Sequence, residues 1–210
     1  VGSEMCIRDS LDALEKMGAN FTLDHGVLTG RTDGLKGVEI NLPYASVGAT
    51  ENTLLAAVLA EGKTVIENAA REPEIVDLVE MLKKMGAEIS GEGTSEIVIE
   101  GVSKLTPTNH EVVGDRIAAG TFLAAFLATK GSGIVKGINP KNLPMEIKKF
   151  KEIGAEVNIT ENSIEISYNG SLNAVELSTL PFPGVATDLQ PVFGSLLLKA
   201  KGTSLSLIHI

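Results

Sequence analysis

The hexapeptide Leu82-Lys83-Lys84-Met85-Gly86-Ala87 has two counterparts in the chain, Leu14-Glu15-Lys16-Met17-Gly18-Ala19 and Phe150-Lys151-Glu152-Ile153-Gly154-Ala155. Their glycines, Gly18, Gly86 and Gly154, stand at equal intervals of 68 residues. Equal spacing of similar segments indicates duplicated structural units. We therefore expect a fold built from a repeat of this length.

Each hexapeptide is expected to close an amphipathic helix. In the middle copy, apolar residues recur at helical spacing, at Ile75, Leu78, Val79 and Leu82. The glycine then ends the helix, because glycine tolerates the left-handed conformation at the position after the C-cap. Alternation of polar and apolar residues predicts strands after the helices. These strands are expected at residues 96–100, 156–160 and 163–167.

A second type of helix alternates with the first. Its three copies are expected at residues 51–61, 118–129 and 188–200, ending at Gly62, Gly131 and Gly202. The first copy is apolar nearly all round, which predicts burial on most sides. The repeat is therefore a βαβαββ unit, and the fold class is α/β (α+β), with sheets around buried helices. The chain holds parts of three such units.

Composition excludes several classes of partner. The net charge is −9, and no cluster of Lys and Arg follows a nucleic-acid backbone, so a nucleic-acid partner is not expected. The longest apolar run, residues 54–60, is too short to span a bilayer, and we find no secretory signal. One cysteine and three scattered histidines (His25, His110 and His209) do not form a metal site. We expect a soluble cytoplasmic protein without a membrane partner, metal or cofactor, and leave its oligomeric state open.

The two ends of the chain look foreign to the repeat. Residues 1–10 fit no periodic pattern, and residues 205–210 follow a Gly-Thr-Ser turn. Both strings resemble translated sequencing-adapter read-through, so we expect artefacts there and set them aside from the fold; genuine short termini are the alternative. Cys6 lies in the first string and is not assigned as a catalytic thiol.

The first candidate site is the segment Tyr44-Ala45-Ser46-Val47-Gly48, directly before the second type of helix. A helix start presents unpaired N–H groups and partial positive charge. Gly48 would let a ligand approach the backbone closely. Together these features predict a seat for a phosphate or diphosphate. The alternative is ordinary N-capping by Ser46 or Thr50.

Two further candidates are charged residues at predicted helix starts. Glu72 precedes Pro73, which is expected in the first turn of a helix. Its carboxylate either lines a site or stabilises the helix dipole. The adjacent Asp115 and Arg116 form either a structural ion pair or part of a charged cleft.

The last candidate is Thr187-Asp188, which follows a loop rich in proline. An aspartate between an irregular segment and an apolar helix is either an N-cap or a base held at a cleft. The residues alone leave both alternatives open.

Several strings together resemble the UDP-N-acetylglucosamine enolpyruvyl transferase family. They are residues 46–50, 59–62, 66–77, 115–117, 119–122 and 187–190, and the resemblance runs from about Leu11 to Ser204. The family has two domains of three repeated units each, with the active site in a cleft between them. The resemblance implies that residues 11–113 are the later part of one domain and residues 114–204 the start of the other. It also implies that a family member is about twice as long as this chain.

The resemblance further implies a reaction and roles for the candidate residues. The family adds the 3-hydroxyl of UDP-N-acetylglucosamine to phosphoenolpyruvate and releases phosphate, the first committed step of peptidoglycan synthesis. Asp188 matches the base that accepts the hydroxyl proton, next to the substrate-binding Thr187. Residues 44–48 match the segment that holds the UDP moiety, and a crevice shared with Asp188 is expected. Supporting positions in the cleft are matched by Glu72, Asp115 and Arg116.

The chain also departs from the family pattern. Tyr44 and Ala45 stand where Lys and Val are frequent, and Ala186 replaces a proline before Thr187. The loop with the family's catalytic cysteine and the Lys-Asn pair for phosphoenolpyruvate have no match here. We therefore expect this chain alone to be inactive and poorly soluble. The alternatives are a shikimate-pathway enolpyruvyl transferase and a non-catalytic protein that binds UDP-sugars.

Overall fold

Helices and strands alternate along the chain in two separate units. The structure, a computed structural model, describes the backbone of residues 2–208 and the side chains of residues 7–208. One unit extends to Val112 and the other starts at Val113. The first contains α1 (Gly2–Lys16), β1 (Asn20–Asp24), β2 (Val27–Arg31), β3 (Glu39–Asn41), α2 (Val47–Ala57), β4 (Lys63–Glu67), α3 (Pro73–Lys84), β5 (Glu88–Ser90) and β6 (Glu96–Glu100). The second contains α4 (Arg116–Ala128), β7 (Ser132–Lys136), α5 (Pro144–Ile153), β8 (Glu156–Ile159), β9 (Ser163–Ser167), β10 (Glu176–Ser178), α6 (Gln190–Leu197) and β11 (Leu205–Leu207), with short 3-10 turns at Pro140–Asn142 and Thr187–Leu189.

The first unit contains one complete repeat. The elements from β3 to β6 follow the predicted order βαβαββ and form a sheet with the strand order β3-β4-β6-β5. β3 and β4 are parallel, since α2 connects them, and the remaining pairs are antiparallel. Alternate residues face the core, so Ile66 on β4 and Ile97 and Ile99 on β6 are fully buried. The predicted βαβαββ order is confirmed.

The second unit contains parts of two repeats. The segment from α4 to β9 reproduces the later part of the repeat, with the strand order β7-β9-β8. β10 and β11 form a separate parallel pair connected through α6. This pair corresponds to β3 and β4, because a parallel bridge between Asn173 and Lys201 flanks it as the bridge between Lys36 and Glu61 flanks the first pair.

The three repeated glycines end their helices in the same conformation. Gly18, Gly86 and Gly154 have φ angles of 105°, 101° and 104°. In each copy the glycine N–H donates three residues back, and the following alanine N–H donates five residues back, as from Ala87 to Leu82 O at 3.0 Å. These two bonds define the Schellman motif, which satisfies carbonyls at a helix end. The predicted helix ends are confirmed.

The residue before each of these glycines also accepts a hydrogen bond from a later segment. The donors to Met17 O, Met85 O and Ile153 O are the backbone amides of Lys36, Thr106 and Asn173, at 2.9, 2.8 and 2.8 Å. The repeat is therefore a repeat of tertiary contacts as well as of sequence.

The bounds predicted for the first and third copies of the second type of helix are wrong, whereas α4 lies within two residues of its prediction. α2 begins at Val47 instead of residue 51, because the Ser46 side chain caps it there, and it ends at Ala57, well before Gly62. After α4, Lys130 takes the left-handed conformation, with φ 59°, instead of Gly131. α6 spans only Gln190–Leu197, and a 3-10 turn precedes it.

The expectation that α2 is buried on most sides is also wrong within its own unit. In α2, Leu54 and Ala57 are fully buried, whereas Leu55 is 52% exposed; Leu59, just after the helix, is 56% exposed. α4 has a similar outer position at Phe122, which is 61% exposed. A sheet and its neighbouring helices cover only one face of each helix, so the second apolar face stays in contact with solvent.

Helix and strand structure extends into both end segments that were predicted to be artefacts. α1 includes residues 2–10, and Ser10, which is 8% exposed, accepts a hydrogen bond from Asn52 at 3.1 Å. β11 lies within residues 205–210 and pairs with β10. A helix extends readily once nucleated, so an apolar period is not needed at its end. The artefact origin of both ends stays a prediction, and the side chain of Cys6 and all of His209 lie outside the described residues.

The helices are short compared with the thickness of a bilayer. Across residues 2–208 we find no helix with both the length and the apolar character needed to cross a membrane.

Replacing Gly86 by alanine tests the left-handed helix end. An added methyl group meets nothing within 4 Å, so the cost is conformational alone. We expect Gly86→Ala to lower the unfolding free energy of the chain by about 1–2 kcal/mol in urea denaturation. The control is Gly48→Ala in α2, where φ is not positive and space is equally open. It should be neutral or stabilising by up to about 1 kcal/mol, and equal losses in the two variants would contradict the assignment.

Candidate functional site

The start of α2 is organised by Ser46 and Thr50. Ser46 is 2% exposed and caps the helix, since its Oγ accepts from Ala49 N at 3.2 Å. Capping by Ser46, one of the two alternatives from the sequence, is therefore present. Thr50 does not cap α2: its hydroxyl donates to Ser46 O at 2.8 Å and accepts from Ala70 N at 3.0 Å. Thr50 therefore ties the start of α2 to the segment before α3.

The rest of the predicted anion seat lies half-buried around this cap. Tyr44, Ala45, Val47 and Gly48 are partly exposed, and Tyr44 O accepts from Ser46 N at 2.7 Å. The space beside Gly48 is open. Glycine is therefore not needed there for packing, and a ligand could reach the first amides of α2. Anion binding by this segment stays a prediction.

Glu72 stands at the start of α3, beside the start of α2. It is 5% exposed, and its side chain makes no capping bond to the helix amides, while Pro73 occupies the first turn as predicted. Burial and the neighbouring Glu74 raise the pKa of Glu51 on α2. The first unit thus brings Ser46, Glu72 and two further carboxylates to neighbouring helix starts.

Asp115 and Arg116 are at the start of α4 and have different contacts: Asp115 caps the helix, and Arg116 packs on an aromatic ring. Asp115 is exposed and is the N-cap, with Oδ1 accepting from Ile117 N at 2.8 Å and Ala118 N at 3.0 Å. Arg116 is 7% exposed, and its guanidinium carbon lies 5.8 Å from the centre of the Phe182 ring, a cation–π contact. The capping role of Asp115 was not among the sequence-based alternatives.

Asp188 lies in the 3-10 turn Thr187–Leu189, and both Thr187 and Asp188 are exposed. Ala186 is the N-cap of that turn and Leu189 the N-cap of α6, neither with a side-chain capping bond. The N-cap interpretation of Asp188 is therefore wrong. Its carboxylate is not used to cap a helix.

α4 packs closely against this turn. A Cβ placed on Gly120 would come within 2.8 Å of Leu189 Cδ1, so a larger residue there would displace the Leu189 side chain. The second unit therefore gathers Asp115, Arg116, Thr187 and Asp188 near one end of α4. The crevice expected between Asp188 and residues 46–48 stays a prediction, since these residues belong to different units.

Glu146 is a buried residue that the sequence-based candidates missed. It lies in the first turn of α5, is 1% exposed, and its Oε1 accepts from Ala186 N at 3.3 Å. Burial raises the pKa of Glu146, while backbone hydrogen bonds and the attraction of Arg116 act in the opposite direction. A sequence signal did exist: Glu146, Phe150 and Ile153 share one helical face, so a carboxylate occupies an apolar position.

His110 is a second missed residue, at the end of the irregular segment after β6. Its side chain is 5% exposed, with Nε2 3.0 Å from Asp77 Oδ1 and Nδ1 3.0 Å from Lys84 Nζ. Because a lysine ammonium only donates, Nδ1 accepts and Nε2–H donates to Asp77. This histidine fastens the segment to α3, and no spacing in the sequence points to the contact.

The comparisons with known proteins agree with the repeat and with the fold. A family model described as EPSP synthase (3-phosphoshikimate 1-carboxyvinyltransferase) matches residues 6–209. The chain belongs to that family. Two similar proteins named UDP-N-acetylglucosamine 1-carboxyvinyltransferase come from Corynebacterium efficiens, with 51% identity over 85% of this chain, and Nocardia farcinica, with 49% identity over 91%. This chain spans only 42% and 45% of those two proteins, which is less than half of their length.

Solved structures confirm the fold class. The enolpyruvyl transferase NikO from Streptomyces tendae superposes with a TM-score of 0.83 at 22% identity, covering 95% of this chain and 51% of that one. EPSP synthase from Acinetobacter baumannii gives a TM-score of 0.61 at 26% identity, covering 95% and 48%. The α/β architecture of repeated βαβαββ units is therefore shared with enolpyruvyl transferases.

Substitution of Asp115 tests its capping role. Asp115→Ala removes the acceptor for two helix amides and should lower the unfolding free energy by about 1 kcal/mol. Asp115→Asn keeps an acceptor oxygen and should stay close to the unchanged protein in urea denaturation. A similar loss in both variants would show that the charge, and not the cap, stabilises α4.

The buried carboxyl of Glu146 should make stability depend on pH. Its pKa is raised in the folded state, so its favourable contribution is complete below the ordinary pKa of a glutamate and is lost as pH rises through the folded-state pKa. Each unit of pKa elevation corresponds to about 1.4 kcal/mol. The measurement is the unfolding free energy of Glu146→Gln and of the unchanged protein from about pH 4 upward. As pH rises, the difference between the two free energies should shift in favour of the variant. A difference that does not change with pH would refute the raised pKa.

Proposed function

We propose that this chain is part of a UDP-N-acetylglucosamine 1-carboxyvinyltransferase. Such an enzyme transfers the enolpyruvyl group of phosphoenolpyruvate to the 3-hydroxyl of UDP-N-acetylglucosamine and releases phosphate. The main support is the 51% identity, over 85% of this chain, to a protein of that name. The reaction commits UDP-N-acetylglucosamine to peptidoglycan. We infer a cytoplasmic location, because phosphoenolpyruvate is a cytoplasmic metabolite.

In this proposal Asp188 is the general base. A sugar hydroxyl is a weak nucleophile, so a positioned carboxylate that accepts its proton speeds addition to C2 of phosphoenolpyruvate. The exposure of Asp188 and the absence of a capping role support the assignment, since the carboxylate is accessible. Thr187 belongs to the same turn. Loss of phosphate from the tetrahedral adduct then gives the enolpyruvyl ether.

Residues 44–48 are proposed to hold the diphosphate of the nucleotide sugar. Partial positive charge at the start of α2 favours an anion there, and open space beside Gly48 supports access to the backbone. The side chains of Tyr44 and Ala45 differ from those frequent in the family, but main-chain contacts do not depend on them. Glu72, Asp115 and Arg116 are proposed as supporting residues.

A shikimate-pathway enolpyruvyl transferase is the second candidate, because the matching family model is described as EPSP synthase. Its acceptor, shikimate 3-phosphate, is a small phosphorylated acid that requires more basic residues in the cleft. The names of the relatives that are 51% and 49% identical favour the nucleotide sugar. A non-catalytic protein that binds UDP-sugars is the third candidate. It is disfavoured because the accessible carboxylate of Asp188 can act as a base.

A chimaera tests the proposal in a complete enzyme. Residues 11–204 would replace the matching stretch of the Corynebacterium efficiens protein, and phosphate release from phosphoenolpyruvate would be measured with each acceptor. We expect release with UDP-N-acetylglucosamine and none with shikimate 3-phosphate. Asp188→Asn in the chimaera should lower kcat by about 10²-fold or more.

The outcomes of this experiment separate the three candidates. Release with shikimate 3-phosphate would favour the second candidate. Binding of UDP-N-acetylglucosamine without phosphate release would favour the non-catalytic protein. Full activity of Asp188→Asn would reject Asp188 as the base.

A further inference from the structure

The carboxylate of Glu146 is buried at a position where an apolar residue would pack. It is 1% exposed and lies beside Phe150 and Ile153, both fully buried. Burial of a charged group is costly unless it is paired and hydrogen-bonded. Three groups compensate it here: its own backbone amide, the Ala186 amide, 3.3 Å from Oε1, and the positive charge of Arg116. Such a costly arrangement calls for a role that an apolar side chain could not fulfil.

The backbone conformation of Ala186 would also suit proline, which has no N–H group. Its φ and ψ angles of −61° and 141° suit proline as well as alanine. Its neighbour Val185 forms a β-bridge with Thr179, an extended conformation that a following proline tolerates. Alanine differs from proline there mainly in having an N–H group, and that N–H donates to Glu146. The two residues therefore form a matched donor and acceptor.

Ala186 is also the residue on which the Asp188 turn is built. It is the N-cap of Thr187–Leu189, and its carbonyl accepts from Leu189 N at 3.0 Å. Leu189, at the end of the turn, packs against Gly120 of α4. Ala186, at the start of the turn, is held by the hydrogen bond to Glu146.

We propose that Glu146 is a positioning residue that holds the Ala186–Leu189 turn through the Ala186 amide and thereby sets the position of the Asp188 carboxylate. Arg116 balances the buried charge from α4. An effect of Glu146 on catalysis depends on the role proposed for Asp188, whereas its effect on the stability of the turn does not. Glu146 does not touch substrate in this proposal; it acts through the backbone.

Hydrogen exchange on the 210-residue chain tests the anchor without any substrate. The amides of Leu189 and Gln190, which donate to Ala186 O and Thr187 O, report opening of the turn. In Glu146→Leu these amides should exchange about tenfold faster, the size expected for loss of a hydrogen bond to a charged group. Glu146→Gln keeps a carbonyl acceptor, and its exchange should stay within about a factor of three of the unchanged protein.

The urea dependence of exchange separates positioning from a general structural role. Glu146→Leu leaves the Ala186 amide without its acceptor and Arg116 without the charge it attracts, so it should lower Tm. The faster exchange of the turn should change little with added urea, because a local opening exposes little surface. Unchanged exchange in Glu146→Leu, or equally fast exchange in Glu146→Leu and Glu146→Gln, would overturn the proposal.

Proline at position 186 gives a second, independent test. Ala186→Pro removes the donor and keeps the backbone geometry, so it should lower Tm in the unchanged protein and leave or raise it in Glu146→Leu. A proline that stabilises the unchanged protein would also overturn the proposal. Failure of these tests is distinct from failure of the proposed activity, which the Asp188→Asn chimaera reports.

Discussion

The left-handed turn at Gly18, Gly86 and Gly154 is the constraint on which the rest of the fold depends. Each glycine closes a helix with a Schellman motif and turns the chain back along the sheet. The carbonyl just before it then accepts an amide from a later segment of the chain. One conformational requirement thus sets the end of the helix and the entry of the following segments. A residue with a Cβ would strain both at once.

The candidate residues share a second constraint, which is that helix starts need partners for their amides. Ser46 and Asp115 supply those partners, while Asp188 does not, and this difference leaves the Asp188 carboxylate accessible. In the second unit the Ala186 amide before α6 donates to the buried Glu146, whose carboxylate is attracted by Arg116 at the start of α4. The arrangement of the proposed base therefore depends on a buried polar group as much as on packing.

Exposed apolar side chains on and beside α2 and α4 provide a physical reason for the expected low solubility. Leu55 on α2, Leu59 just after it and Phe122 on α4 are all more than half exposed in their own units. Exposed apolar side chains of this size are hydrated at a cost in free energy and promote association.

The sequence by itself determined the repeat, the helix ends at the three glycines, the strand positions at Glu96–Glu100 and Ser163–Ser167, and the fold class. These features are local, because periodicity and the conformational freedom of glycine act within a few residues. Only the tertiary structure decided the roles of Thr50, Glu146 and His110. Each makes its contact with groups set by the fold, and Glu146 reaches an amide forty residues away in sequence. A hydrogen bond across such a distance depends on how the elements pack, and no pattern of neighbouring residues encodes that packing.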